Sequence, residues 1–111
     1  MNILEERQGG VTIIRPDGPL LKQEADQFRR QVLHALAGSC GRCVIDASAL
    51  AYIDSRGLEV LVEANEEASA SGQSLKLCGV TETVRRVLEL TRLSTLFEFF
   101  ADVNAATRSF S

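Results

Sequence analysis

The chain has 111 residues, 45% of them apolar, and a formal net charge of −3, which argues against a disordered chain and sets the expectation of one domain over residues 1–111 with one core. Its 12 Lys and Arg stand against 15 Asp and Glu with no long basic run, so nucleic acid and anionic membrane surfaces have no electrostatic footprint here. No apolar run approaches the roughly 20 residues of a membrane span, residues 1–7 lack the basic-then-apolar layout of a signal peptide, and three cysteines, an odd number, point to a reducing cytoplasm.

Residues 3–8 and 11–15 predict two strands on either side of Gly9-Gly10, a pair that suits a tight hairpin because both positions tolerate φ > 0. Pro16-Asp17-Gly18-Pro19 ends the second strand. From Leu21 the spacing becomes helical: Ala25, Phe28, Val32 and Leu36 share one face, and Gly38 and Gly41 stop the helix. Residues 43–46 form a short apolar strand, covered on both faces. A second helix begins at Asp54-Ser55, with Leu58, Leu61, Val62 and Ala68 as its buried stripe and Glu59, Glu63, Glu66 and Glu67 as its wet side.

Ser71-Gly72 closes that helix, and residues 74–78 are the next strand. Residues 81–90 predict a third helix, capped by Thr81 or Thr83, with Val84, Val87 and Leu88 facing inward. Residues 97–100 read as a final strand, and Asp102 caps a last helix that buries Val103, Ala106 and Phe110. A hairpin followed by alternating helix and strand implies an α/β fold. The expected sheet is mixed, with four to five strands, parallel where the crossovers force it, and about four helices packed mainly on one face. Chemistry belongs where strands end and helices begin, which is where Asp54-Ser55 falls.

Ser55 has two readings. As a cap, Asp54 or Ser55 accepts hydrogen bonds from the free amides of the first turn. As a modification site, its hydroxyl lies where unpaired N–H groups and the positive helix end favour an added negative charge. Gly57 inside the first turn costs about 1 kcal/mol against alanine, which suggests that something approaches the backbone closely there.

The rival constellations are weaker. Cys40-Gly41-Arg42-Cys43 falls between the end of a helix and the start of a strand, without the helix N-terminus that activates a redox thiol. A structural zinc site has no second Cys-x-x-Cys to complete it, only Cys78 and His34. With His34 the sole histidine, no serine-hydrolase triad is indicated, and no phosphate loop or GxGxxG occurs. The residues therefore indicate no enzyme, no cofactor and no metal.

The segment Val44-Ile45-Asp46 followed by Tyr52-Ile53-Asp54-Ser55-Arg56-Gly57-Leu58 resembles the signature of the STAS domain, an apolar strand and Asp, a loop, then Asp-Ser and Gly-Leu. The similarity extends to residues 71–80, a glycine turn and strand, to Thr83-Val84-Arg85-Arg86-Val87-Leu88-Glu89-Leu90-Thr91, a third helix, and to residues 93–97. Within the family the chain is most similar to single-domain bacterial anti-sigma factor antagonists.

The resemblance implies a non-enzymatic, cytoplasmic regulator of transcription. Its partner would be an anti-sigma factor that is also a serine kinase of the histidine-kinase-like ATPase fold. That kinase would phosphorylate Ser55 and so release the complex, and a metal-dependent serine phosphatase would reset it. The implied partner-binding surface is Leu21, Lys22, Asp54, Ser55, Arg56, Gly57 and Glu59, on a monomer or weak dimer that contacts neither nucleic acid nor membrane directly. The alternative is a STAS scaffold without the switch, an accessory subunit of a lipid-transport ABC system or of a stress-sensing complex. Three positions depart from the family pattern: Leu21 stands where an acidic residue is usual, Arg56 where a small one is, and Arg92 where glycine is common. Arg56, next to Ser55, offers a pairing partner for a phosphate there.

Overall fold

Gly9 and Gly10 adopt φ of +57° and +84°, the pair of left-handed conformations that lets a two-residue turn match the twist of its strands. In the computed structural model, which describes residues 1–110, they join β1 (Asn2–Gln8) to β2 (Val11–Asp17) as an antiparallel pair. The chain continues through α1 (Lys22–Gly38), β3 (Cys43–Asp46), α2 (Ser55–Ala70), β4 (Lys76–Cys78) and α3 (Glu82–Leu90). A single 3-10 turn (Ser94–Leu96), β5 (Glu98–Phe100) and α4 (Val103–Arg108) complete it. The five strands form one sheet in the order β1-β2-β3-β4-β5, with every pair after the first parallel. This is the mixed α/β sheet expected from the alternation of elements.

Strand alternation divides the core in two. Ile14, Ile45 and Leu77 lie side by side on one face and pack against Phe28 and Val32 of α1, Leu61 of α2 and Leu88 of α3. Val11, Ile13, Val44 and Cys78 face the other way, under Ala106 of α4. Three helices on one face and the short α4 on the other agree with packing mainly on one side. On the α4 face Lys76 is 4% exposed. Its ammonium is neutralised by Glu98 at 3.2 Å and sits 4.5 Å from the ring centre of Phe110, so a buried charge is paired and also pins the end of α4.

Several element details differ from the sequence reading. β2 runs two residues past Arg15, and Pro16 pairs with Ile3 while buried. The ladder to β3 stops at Ile14, so no second neighbour needs the amide that proline lacks. Val62 is only partly buried. The buried residues of α2 are Gly57, Leu58, Val60, Leu61, Ala64 and Ala68, and Val62 flanks them. The turn after α1 is made by Cys40 at φ +55° as well as Gly41 at φ +83°, and Gly38 is simply the last helical residue. Cys40 is exposed, whereas burial pushes the Cys43 thiol up to about 12, leaving it a protonated packing group.

Candidate functional site

The site is built by two loops running side by side. Gly18 N–H donates to Ala49 O at 2.9 Å, Leu20 N–H to Tyr52 O at 2.8 Å, and Asp54 N–H back to Leu20 O at 3.2 Å. This pairing includes a parallel bridge between Leu20 and Ile53, both fully buried. It brings the start of α1 against the start of α2, and so joins Leu21 and Lys22 to Asp54, Ser55, Arg56, Gly57 and Glu59. The resemblance implied a partner-binding surface made of these residues; the fold gathers them at one end of the sheet, with Gly57 buried.

Asp54 is the N-cap of α2. Its Oδ1 accepts from Gly57 N–H at 3.0 Å. The second oxygen, Oδ2, accepts from Lys22 N–H at 2.8 Å, at the first turn of α1, where the N-cap residue Leu21 offers no side-chain hydrogen bond. The two hydrogen-bonded helix ends hold the Asp54 carboxyl below its ordinary range, the Gly57 amide most of all, with desolvation opposing them. Of the two capping candidates in Asp54-Ser55, Asp54 does the work. Ser55 occupies the first helical position with its side chain exposed.

Gly57 is buried, and the close approach it permits is internal. A Cβ there would lie 2.7 Å from Ile53 Cγ1 and 2.8 Å from Leu20 O, so glycine is required for α2 to sit on the bridged loops. No external group is needed to explain it, and its side of the helix faces the core.

Arg56 turns away from the bridge and spans the helices. It pairs with Asp26 of α1 at 3.1 Å and with Glu59 at 3.3 Å. Asp26 was not legible as a site residue, because nothing in its local sequence connects it to a position 30 residues away. One turn further along, Arg29 hydrogen-bonds Glu63 at 2.7 Å, which lowers the Glu63 pKa. On its other side Ser55 borders a groove of about 510 Å³ floored by Leu58, Val62 and Leu93 and rimmed by Glu59 and Glu66.

No group of three or more His, Cys, Asp or Glu side chains among the described residues is arranged to hold a metal ion. No helix among them is long and apolar enough to cross a membrane. The arrangement leaves one hydroxyl, that of Ser55, exposed at a helix start.

Comparison with known proteins agrees with this architecture. An anti-sigma F factor antagonist of Paenibacillus polymyxa is 28% identical over 109 residues, covering 96% of this chain and 93% of that protein. A solved Thermotoga maritima protein, described as a candidate anti-sigma factor antagonist, superposes with a TM-score of 0.88 at 26% identity, covering 96% of this chain and 92% of its own. The anti-sigma factor antagonist SpoIIAA in its unphosphorylated form shares the fold at a TM-score of 0.82 and 21% identity, over 98% of this chain and 96% of its own. The STAS domain matches residues 2–106, and the chain belongs to the STAS domain family.

Proposed function

We propose that this chain is an anti-sigma factor antagonist, that it binds an anti-sigma factor through the surface around Leu21, Lys22, Asp54, Ser55, Arg56 and Glu59, and that phosphorylation of Ser55 ends that binding. One observation carries the switch: Asp54 supplies the cap of α2, so the exposed hydroxyl of Ser55 at the first helical position has no structural duty to lose. The name of the Paenibacillus polymyxa relative supports the antagonist activity. The existence of SpoIIAA structures described as unphosphorylated and phosphorylated supports a phosphorylation cycle on this fold.

The partner kinase transfers the γ-phosphoryl group of ATP. The bond between the γ-phosphorus and the bridging oxygen of ADP breaks, a bond to Ser55 Oγ forms, and the hydroxyl proton passes to the kinase. The product carries about −1.5 to −2 charge at pH 7. Amides at a helix start accommodate such a group. Within a docked interface the same charge is desolvated and faces a surface selected to fit a neutral hydroxyl, which weakens the complex. A serine phosphatase then uses water to restore the hydroxyl and release inorganic phosphate.

The test is incubation of the full chain with its cognate anti-sigma factor kinase and ATP, followed by intact-mass and peptide mapping. The expected result is one added phosphoryl group on Ser55, absent in Ser55→Ala, with loss of kinase binding on modification. Phosphate at another residue, or equal binding by Ser55→Ala and Ser55→Asp, would favour the scaffold reading and overturn the switch.

A further inference from the structure

A second cleft lies at the opposite end of the sheet from Ser55. β2 and β3 are parallel; Gly9-Gly10 and Arg42 precede them, whereas Ser55 follows the far end of β3. α4 packs back across β3, β4 and β5, and its last turn meets the β1–β2 hairpin in a cleft of about 460 Å³. Arg42 and Arg108 line it together with the apolar Val11 and Phe110, and among the described residues no carboxylate borders it, in a chain whose net charge is −3.

The cleft is held in shape by the fold. The left-handed conformations of Cys40 and Gly41 turn the chain sharply just before Arg42. Thr12 N–H then donates to Arg42 O at 3.0 Å, fixing its backbone while the guanidinium lies over the hairpin, 3.9 Å from where a Cβ on Gly10 would stand. Phe110 is pinned from behind by the Lys76 ammonium. Neither Arg42 nor Arg108 is in an ion pair among the described residues, although Arg29, Arg56 and Lys76 are. Thr107, which also borders the cleft, has a buried hydroxyl with no hydrogen-bond partner among the described residues, a rare condition for a shielded polar atom.

We propose that this cleft binds a phosphate-bearing small molecule. Two guanidinium groups with no carboxylate partner among the described residues present fork-shaped donors that match phosphate oxygens. The volume exceeds that of a bare phosphate and falls in the range of small-ligand sites, leaving the apolar Val11 and Phe110 for the organic part. The site is separate from Ser55 and does not depend on the switch described above.

The full chain, isotope-labelled, is titrated with inorganic phosphate and with adenosine monophosphate, and mixed separately with vesicles of phosphatidic acid in phosphatidylcholine. The expected result is saturable movement of the Gly9, Gly10 and Thr107 amides by the free phosphates, weakened at least about tenfold in Arg42→Gln/Arg108→Gln and about threefold in Thr107→Val. Both arginines are exposed and outside any ion pair among the described residues, so the double variant keeps its circular dichroism spectrum and melting temperature. Vesicle binding abolished by the double variant, with no response to free phosphates, would assign the same phosphate chemistry to a lipid headgroup. Non-saturating shifts, shifts centred on Ser55 and Gly57, or wild-type affinity in the double variant would overturn the proposal.

Discussion

Asp54 caps two helices at once: its Oδ2 accepts the backbone N–H of Lys22 at 2.8 Å across a separation of 32 residues, while its Oδ1 holds Gly57 in its own first turn. The position at the start of α1, where the family pattern has an acidic residue and this chain has Leu21, is therefore served from the neighbouring helix. Loss of the carboxylate removes two end contacts, and partial replacement separates them. Asp54→Asn keeps an oxygen for Gly57 but turns its amide, a donor, toward the Lys22 donor. Asp54→Ala has neither. The expected order of thermal midpoints by circular dichroism is wild type, then Asp54→Asn, then Asp54→Ala; equal midpoints for wild type and Asp54→Asn would mean that the Lys22 bond contributes nothing.

The same carboxylate sets an acid dependence. The Asp54 pKa is lower in the folded chain than its value of about 3.9 when unfolded. The unfolded chain thus takes up its proton first as pH falls. The stability Asp54 supplies is fully present above about pH 4 and declines as pH drops through the folded pKa. Urea midpoints of wild type and Asp54→Asn compared between pH 7 and pH 2 should converge at the acid end. Parallel curves over the whole range would contradict the depressed pKa.

Gly57 to Ala tests why the helix starts as it does. Alanine gains about 1 kcal/mol in helix propensity, and an open position would be stabilised by it. Here the added methyl meets Ile53 Cγ1 at 2.7 Å and the Leu20 carbonyl at 2.8 Å. That carbonyl already accepts from Asp54 N–H, so the clash is with bonded backbone. Overpacking of this kind costs roughly 1–3 kcal/mol, and the net outcome expected in denaturant unfolding is a loss. A gain would show that the loops yield, and with them the registration of α1 against α2.

These features explain which parts were readable in the sequence. The Gly9-Gly10 turn, the Phe28–Val32 stripe, a threonine cap at Thr81 or Thr83 and the Asp102 cap are local patterns of spacing, and the structure keeps them, with Thr81 as the threonine used; Thr81 and Asp102 accept from the Val84 and Ala105 amides. Ser55 was also located, at the start of α2. What spacing did not carry was the second partner of Asp54, the Asp26–Arg56 pair and the reason for Gly57. Each depends on the Leu20–Ile53 bridge, a long-range contact that aligns α1 with α2. A glycine needed for internal packing and one needed to admit a ligand look the same in one dimension.

Ser55 to Asp separates fold from interface. An acidic side chain in the first helical turn gains about 0.3–1 kcal/mol from the helix end, offset in part by repulsion from ionised Asp54 next to it, while Arg56 keeps positive charge nearby. The folded chain should keep its stability to within about 1 kcal/mol and an unchanged circular dichroism spectrum, and any loss of partner binding then belongs to the interface. A drop well beyond that would mean the helix start rejects negative charge, and phosphorylation would act by unfolding α2.

Arg92 closes α3 in a conformation that suits glycine. Its φ is +61°, its N–H donates to Glu89 O at 3.0 Å, and the following Leu93 N–H reaches Leu88 O at 2.9 Å, the bond pattern of a helix end whose turning residue is left-handed. α2 ends in the same way at Gly72, with φ +76° and Gln73 N–H on Ala68 O at 2.9 Å. A residue with a Cβ in that region is strained by about 1 kcal/mol, and the exposed Arg92 makes no ion pair among the described residues to offset it. Arg92→Gly should therefore raise the unfolding free energy, by up to about 1 kcal/mol after the extra freedom glycine gives the unfolded chain. Arg92→Ala, which keeps the strain and loses only the guanidinium, should leave it unchanged. If the alanine variant fell by as much as the glycine variant rose, the arginine side chain itself would be holding the end of α3.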